Sequence, residues 1–373
     1  MGALMRIAIV GPTHPYKGGI AQHTTQLAHR LRALGHDVSL ESWRRQYPER
    51  LYPGQQRVDV PEMPVYPGTT YPLSWNRPDG WWRLGRRLRK QADVVIIVLV
   101  SPIQAPALAV LARALKAGRS PSPRIIALCH NVLPHERRGI DERLVRAVLG
   151  QADAVLVHAV KEQELARTLT RAETAVSPLP PPHRFAVEDA VAPDPDRPLS
   201  HRILFFGLVR PYKGLDVLLR ALAKAPADLE LVVAGEFWGG VESTQALIRE
   251  LGISDQVELR PGYVEAAQVP DLIRSADLMV LPYRDSTASW NGSLALEHGV
   301  PVIATRVGTM AEQVRDGVDG LLCDPEDADG LAAALTKAYE PGVLQTLRRG
   351  IGPAAGEQSW DRYLEVVTEL AGG

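Results

Sequence analysis

Cysteine is almost missing from this chain. Only Cys129 and Cys323 occur among 373 residues, too few for a disulfide framework, so the sequence reads as one suited to a reducing cytoplasm with two buried free thiols. Long apolar runs are missing as well. The start MGALMRIAIVGP enters a strand-like run directly, and no later run reaches spanning length, which points away from secretion and membrane insertion. An excess of one charge is absent from the total: 42 Lys+Arg against 43 Asp+Glu leave a net charge of -1. The balance conceals an asymmetry. Residues 1–190 hold 26 Lys+Arg and 16 Asp+Glu, a balance of +10, while the remainder holds 16 and 27, a balance of -11. Opposite halves point to different partners. No nucleic-acid module with a contiguous basic face and aromatic platforms occurs, so nucleic acid is not among the expected partners.

Hydrophobic residues make up 45% of the chain, enough at this length for two cores. Strand-like and helix-like runs alternate almost throughout, which predicts α/β architecture with parallel sheets covered by helices on both faces. MRIAIVG precedes the amphipathic IAQHTTQLAHRLRALGHDV, in which Leu27, Leu31 and Leu34 share a face and Gly35 is a helix stop. ADVVIIVLV, RIIALC and ADAVLVH follow as buried strands. The stretch from RRQYPERLYPGQQ to YPLSWNRPDG is rich in Pro, Gly and Tyr and reads as an irregular excursion. In AVEDAVAPDPDRPLSH acidic residues and prolines replace apolar periodicity, so residues 186–201 read as a linker between a domain 1–185 and a domain 202–355. RILFFG, LELVVAGE, QVELRPGYV, ADLMVLPY, VPVIAT and GLLC are strand candidates of the second domain. Residues 356–373 read as a final amphipathic helix that crosses back to the first domain.

In open α/β sheets, ligands bind beyond the carboxyl ends of strands. GLVRPYKG follows one such strand and leads into LDVLLRALAKA. Free amides and the dipole at the helix start favour phosphate, Arg210 can fork across its oxygens and Lys213 adds a compact charge. A solvated surface turn is the plain alternative. In the first half, GPTHPYKGGIAQHT sets Gly18 and Gly19 at a helix start, where missing Cβ atoms let backbone amides approach a ligand; a tight turn is the alternative. His130 and Asn131 follow RIIALC directly, placing an imidazole at the rim. His135 and Glu136 resemble a metal pair, but no third ligand follows at convincing spacing, so no metal is expected. YRDSTASWNGSLALEHGVPVIAT supplies Ser286, Thr287, Ser289 and Asn291 before a short helix. They serve as caps, or they bring that helix start to a phosphate or sugar.

Taken together, GLVRPYKGLDVLLRA, HGVPVIAT, EQVRDGVDGLLCDPEDADGLAAAL and KGGIAQHTTQLAHRLRALGHDV resemble, in the same order, blocks of the retaining GT-B glycosyltransferases of family four. The resemblance covers most of the chain. It implies two Rossmann-like domains facing across a cleft, the first binding an acceptor (glycan, lipid-linked or small molecule) and the second a nucleotide-sugar donor. By that resemblance Arg210 and Lys213 hold the donor diphosphate, Gly18 and Gly19 approach it from the opposite wall, and His130 faces the transferring sugar. The implied reaction is a retaining, metal-independent hexosyl transfer that needs no cofactor. One feature departs from the family. Its two Glu residues separated by seven others fall, aligned on Gly299, at Ser286 and Leu294, or, with a shorter helix, at Ser289 and Glu297. Ser286, Ser289, Asn291 and Glu297 are therefore the substitutes for sugar and ribose recognition. A nucleotide-sugar epimerase of the same architecture and a non-catalytic nucleotide-sugar-binding homologue stay open.

WWRLGRRLRK, residues 81–90, joins two tryptophans to five basic residues. It reads either as a helix covering the sheet, the favoured reading, or as a weak peripheral contact with the inner face of an anionic membrane.

Overall fold

The computed structural model describes residues 3–48, 56–58, 63–118, 121–134, 139–181, 194–287, 289–352 and 356–372. His135 and Glu136 lie outside them. The chain divides into two compact units, Met1–Phe185 with Gly356–Gly373, and Ala186–Ala355.

Unit 1 is built on seven parallel strands: β1 (Arg6–Val10), β2 (Asp37–Arg45), β3 (Thr70–Ser74), β4 (Val94–Leu99), β5 (Arg124–Cys129), β6 (Ala154–Val157) and β7 (Glu173–Val176), in the order β3-β2-β1-β4-β5-β6-β7. β4 is buried at every position, as an apolar strand covered on both faces must be. Its alternate residues feed two cores. Val95, Ile97 and Leu99 pack with Leu84 and Leu88 of the helix Pro78–Gln91 and with Leu108 and Leu111 of the helix Ala105–Lys116. Val94, Ile96 and Val98 pack on the other face with Leu27 and Leu31 of the helix Gly19–Ala33. The C-terminal helix Gly356–Gly372 completes that second face with Trp360, Tyr363, Leu364 and Val367. The Trp360 indole donates to the Pro181 carbonyl at 3.0 Å.

Unit 2 repeats the plan with β8 (Arg202–Phe206), β9 (Glu230–Gly235), β10 (Val257–Pro261), β11 (Leu278–Leu281), β12 (Val302–Thr305) and β13 (Gly320–Cys323), all parallel, in the order β10-β9-β8-β11-β12-β13. Strand order reverses between β1 and β4 in one unit and between β8 and β11 in the other, and loops diverge at such switch points to leave room for a ligand.

One sequence reading is corrected. The excursion taken as irregular contains β3, paired to β2 and itself an edge of the sheet. Pro72 within TYPLS argued against a strand, but an edge strand tolerates a residue without an N–H. Within the same stretch the helix Pro78–Gln91 turns Trp81, Leu84, Gly85 and Leu88 inward. Among the described residues no helix is long and apolar enough to cross a membrane. Cys129 and Cys323 are free and buried; burial pushes the Cys323 thiol up to about 11 and the Cys129 thiol higher still.

Candidate functional site

At the carboxyl end of β8 the chain is guided by its neighbour β9. The Val209 amide donates to the Glu236 carbonyl at 2.8 Å and the Trp238 amide to Val209 at 3.1 Å. The Arg210 guanidinium lies 4.6 Å from the centre of the Trp238 ring. Pro211–Lys213 then forms one tight turn that ends at Gly214, whose φ of 67° belongs to the left-handed region. A Cβ there would fall 2.0 Å from the Pro282 carbonyl oxygen, so glycine lets the loop after β8 close against the loop after β11. Arg284 fastens the same junction. Its amide donates to the Tyr212 carbonyl at 2.7 Å, its Nη1 to the Pro211 carbonyl at 2.6 Å, and its guanidinium forks onto Asp216 at 2.8 and 2.7 Å.

Lys213 is therefore held inward, 9% exposed. Burial lowers its pKa, and among the described residues no acidic side chain pairs with it. Its ammonium lies 5.3 Å from the centre of the Tyr283 ring. Tyr283 is buried, and burial pushes its hydroxyl up to about 12. That hydroxyl meets Ser289 and receives a long hydrogen bond, 3.4 Å, from Asn291 Nδ2. Asn291 also donates to the Phe206 carbonyl at 2.8 Å, which ties the helix Trp290–Glu297 to the end of β8. Gly207 sits between, with φ 101°; a Cβ would lie 3.1 Å from Asn291 Nδ2 and 3.3 Å from Lys213 Nζ. Ser289 caps the helix by accepting from the Asn291 amide at 3.3 Å. Ser286 and Thr287 are buried just before it, Thr287 accepting from the Thr309 hydroxyl at 3.0 Å.

Lys213, Asn291 and Ser289 thus come together around Tyr283. Glu297 does not join them. It ends the helix that Ser289 begins, about 12 Å away along the axis at 1.5 Å per residue. Tyr283 and Arg284 were absent from the residues singled out in the sequence; the available signal was their position directly after the apolar run of β11.

In unit 1, Gly18 takes φ 95° and precedes the helix Gly19–Ala33 without any side-chain cap. The Ala21 and Gln22 amides fold back to the Gly18 carbonyl at 3.1 and 3.3 Å, while Gly19 and Ile20 have no helical carbonyl to donate to. His130 does follow β5, but it is buried, 7% exposed, rather than open at a rim, because rings from other elements close over it. His23 of the first helix stands 5.0 Å away edge-on and His158, beyond β6, 4.8 Å away. The C-terminal helix supplies Trp360, stacked on His23 at 5.3 Å, and Tyr363, stacked on His158 at 5.9 Å. His158 Nδ1 meets the Ser177 carbonyl at 3.0 Å, so in the neutral ring that nitrogen carries the proton. Desolvation depresses all three imidazoles: His158 to about 4, His23 and His130 well below the ordinary value, with the neighbouring histidines adding repulsion. Among the described residues, His130 Nε2 and the Tyr363 hydroxyl are buried without a hydrogen-bond partner. Among the described residues no group of three or more His, Cys, Asp or Glu is arranged to hold a metal ion.

Residues 17–181 match the family described as Glycosyltransferase Family 4, and residues 200–340 match Glycosyl transferases group 1. A D-inositol 3-phosphate glycosyltransferase of Xylanimonas cellulosilytica is 32% identical over 194 residues, covering 50% of this chain and 45% of that protein. A namesake from Mycobacterium sp. (strain KMS) is 30% identical over 255 residues, 65% of this chain and 54% of its own length. The chain spans about half the length of the curated relatives it matches. Among solved structures, sucrose-phosphate synthase from Thermosynechococcus elongatus superposes with a TM-score of 0.71 at 18% identity, over 98% of this chain and 99% of that one. Anabaena Alr3699/HepE in complex with UDP and glucose gives 0.72 at 18% identity, over 98% and 100%. At that identity the likeness shows the fold, two parallel-sheet Rossmann-like domains of GT-B type.

Proposed function

Because the chain belongs to the family-four glycosyltransferases of GT-B fold, we propose that it moves a sugar from a nucleoside diphosphate to an acceptor hydroxyl, with retention at the anomeric carbon and without a metal ion. The observation that carries this reading is Lys213: a buried ammonium with no acidic partner among the described residues, beside the start of the helix Trp290–Glu297. A buried charge without a counter-ion is costly, and an arriving diphosphate supplies one. As the anomeric bond breaks, negative charge grows on the diphosphate, so Lys213 and Arg210 stabilise the transition state more than the ground state. Those fixed cations do the work a metal ion does at other diphosphate sites. The departing phosphate oxygen accepts the acceptor's proton on the same face of the sugar, which keeps the anomeric configuration.

In this reading the Gly18–Gly19 amides serve the diphosphate, and His130, buried with its Nε2 unpartnered among the described residues, offers that nitrogen to the sugar. Ser286, Ser289 and Asn291 take over contacts the family makes with its paired glutamates, and Glu297 acts from the far end of the helix. UDP, present in the Anabaena complex, is the first nucleotide to try. A phosphorylated polyol, suggested by the relatives' names, is the first acceptor, ahead of glycans and lipid-linked sugars.

The test is incubation with UDP-, GDP- and ADP-sugars and candidate acceptors, with and without EDTA, with products followed by NMR. A glycoside of unchanged anomeric configuration that forms in EDTA supports the proposal. An epimerised nucleotide sugar, or binding without turnover, replaces it with one of the two alternatives.

A further inference from the structure

Lys213 poses a physical problem that family membership does not solve. An ammonium at 9% exposure, with no acid beside it among the described residues, favours either losing its proton or swinging out to water. Two acids of the same junction are held by Arg284, which forks onto Asp216 and reaches Glu326. What faces the ammonium is a ring, Tyr283, at 5.3 Å. The negative face of an aromatic ring attracts a cation, and more strongly when water is excluded.

We propose that Tyr283 is the positioning residue of the diphosphate site: its ring, rather than a carboxylate, keeps Lys213 in place while leaving the charge uncancelled. An acid at this position would neutralise the lysine and compete with an incoming phosphate; a ring does neither. The hydroxyl has a second task. Its contacts with Ser289 and Asn291 fix the ring plane, and Asn291 is anchored in turn on the Phe206 carbonyl. The loop after β8, the loop after β11 and the first turn of the helix Trp290–Glu297 are thereby set as one body around Lys213. Gly207 leaves the space in which the ammonium and the Asn291 amide lie side by side.

This inference rests on the proposed donor site, and its test separates the two. Nucleoside-diphosphate affinity is measured by calorimetry with UDP, GDP and ADP for wild type, for Tyr283→Phe, and for chains carrying progressively fluorinated phenylalanines at position 283, which keep ring shape while draining charge from its face. The series is repeated in a Lys213→Met background. Tyr283→Phe, which keeps the ring and loses the hydroxyl contacts, is expected to weaken binding about threefold, and the fluorinated chains weaken it stepwise from there by up to about tenfold, the range of a desolvated cation–ring contact. In the Lys213→Met background the fluorine effect disappears. Affinity that ignores fluorination, or a fluorine effect that persists without Lys213, overturns the role of Tyr283 and leaves the donor site standing. Absence of nucleoside-diphosphate binding by wild type overturns both.

Discussion

Acidification should undo unit 1 through its histidines, and the size of the effect follows from their burial. His23, His130 and His158 are held neutral by desolvation, with Glu162 the nearby acid, bonded to the Val132 amide, and Arg30 over Trp360 adding a further positive charge. Each folded pKa lies below that of a free histidine, about 6.5. Stability is therefore complete above that value and is lost as pH falls through it, since the unfolded chain takes up protons that the fold refuses. For His158, depressed to about 4, the difference from pH 7.5 to 5.0 approaches one proton, or about 2 kcal/mol, and His23 and His130 act in the same direction. The His158 part alone is a substantial share of the roughly 5–15 kcal/mol that stabilises a domain. Asp93 and Asp79, with pKa values depressed by Arg6 and Arg77, do not confound the window, because they lose their contribution only at lower pH. Urea unfolding at a series of pH values, followed by hydrogen exchange of peptides from unit 1, measures the loss. His158→Gln, whose amide can still donate to Ser177, should remove about 2 kcal/mol of the pH-dependent part. Stability that is flat from pH 7.5 to 5.0, or an unchanged slope in His158→Gln, would refute the reasoning.

Other consequences are local. Gly214→Ala sets a Cβ against the Pro282 carbonyl in a left-handed residue and should lower unit 2 stability by at least about 1–3 kcal/mol in urea melts, with weaker nucleotide binding; an unaltered melt contradicts the packing. His130→Ala should cut turnover about 100-fold or more while nucleoside-diphosphate affinity stays within a fewfold; full activity returns His130 to the hydrophobic core. On the helix Pro78–Gln91, Arg83 pairs with Asp79 and Arg87 with buried Glu41, so a membrane contact would rest on exposed Trp82 with Arg86 and Lys90. Arg86→Glu with Lys90→Glu should abolish low-salt sedimentation with anionic vesicles and spare donor affinity; wild type that ignores such vesicles removes the membrane reading.

How far the sequence discloses this molecule depends on burial. β4, β5, β9 and β11 are continuous apolar runs because helices cover both faces, and they stand out for that reason. β3 and β7 are edge strands with half-open positions, so neither needed an apolar run, and Pro72 disguised the first. Arg210 and Lys213 were visible because strand, cation-bearing loop and helix are consecutive. Tyr283 and Arg284 were not, since their importance arises from β11 lying beside β8, a strand order that no local pattern encodes. The surroundings of His130 were hidden likewise: His23, His158, Trp360 and Tyr363 come from three separate stretches and meet only once the last helix packs on the unit 1 sheet.

The central claim is that Arg210 and Lys213 hold a departing nucleoside diphosphate, and paired measurement of turnover and diphosphate affinity in Arg210→Ala and Lys213→Ala tests it most directly. Each substitution is expected to lower turnover by about 100-fold or more, the usual cost of removing a donor aimed at growing negative charge. Affinity for the free diphosphate should fall less, because the charge is largest as the bond breaks. Wild-type turnover and affinity in both variants would contradict the account.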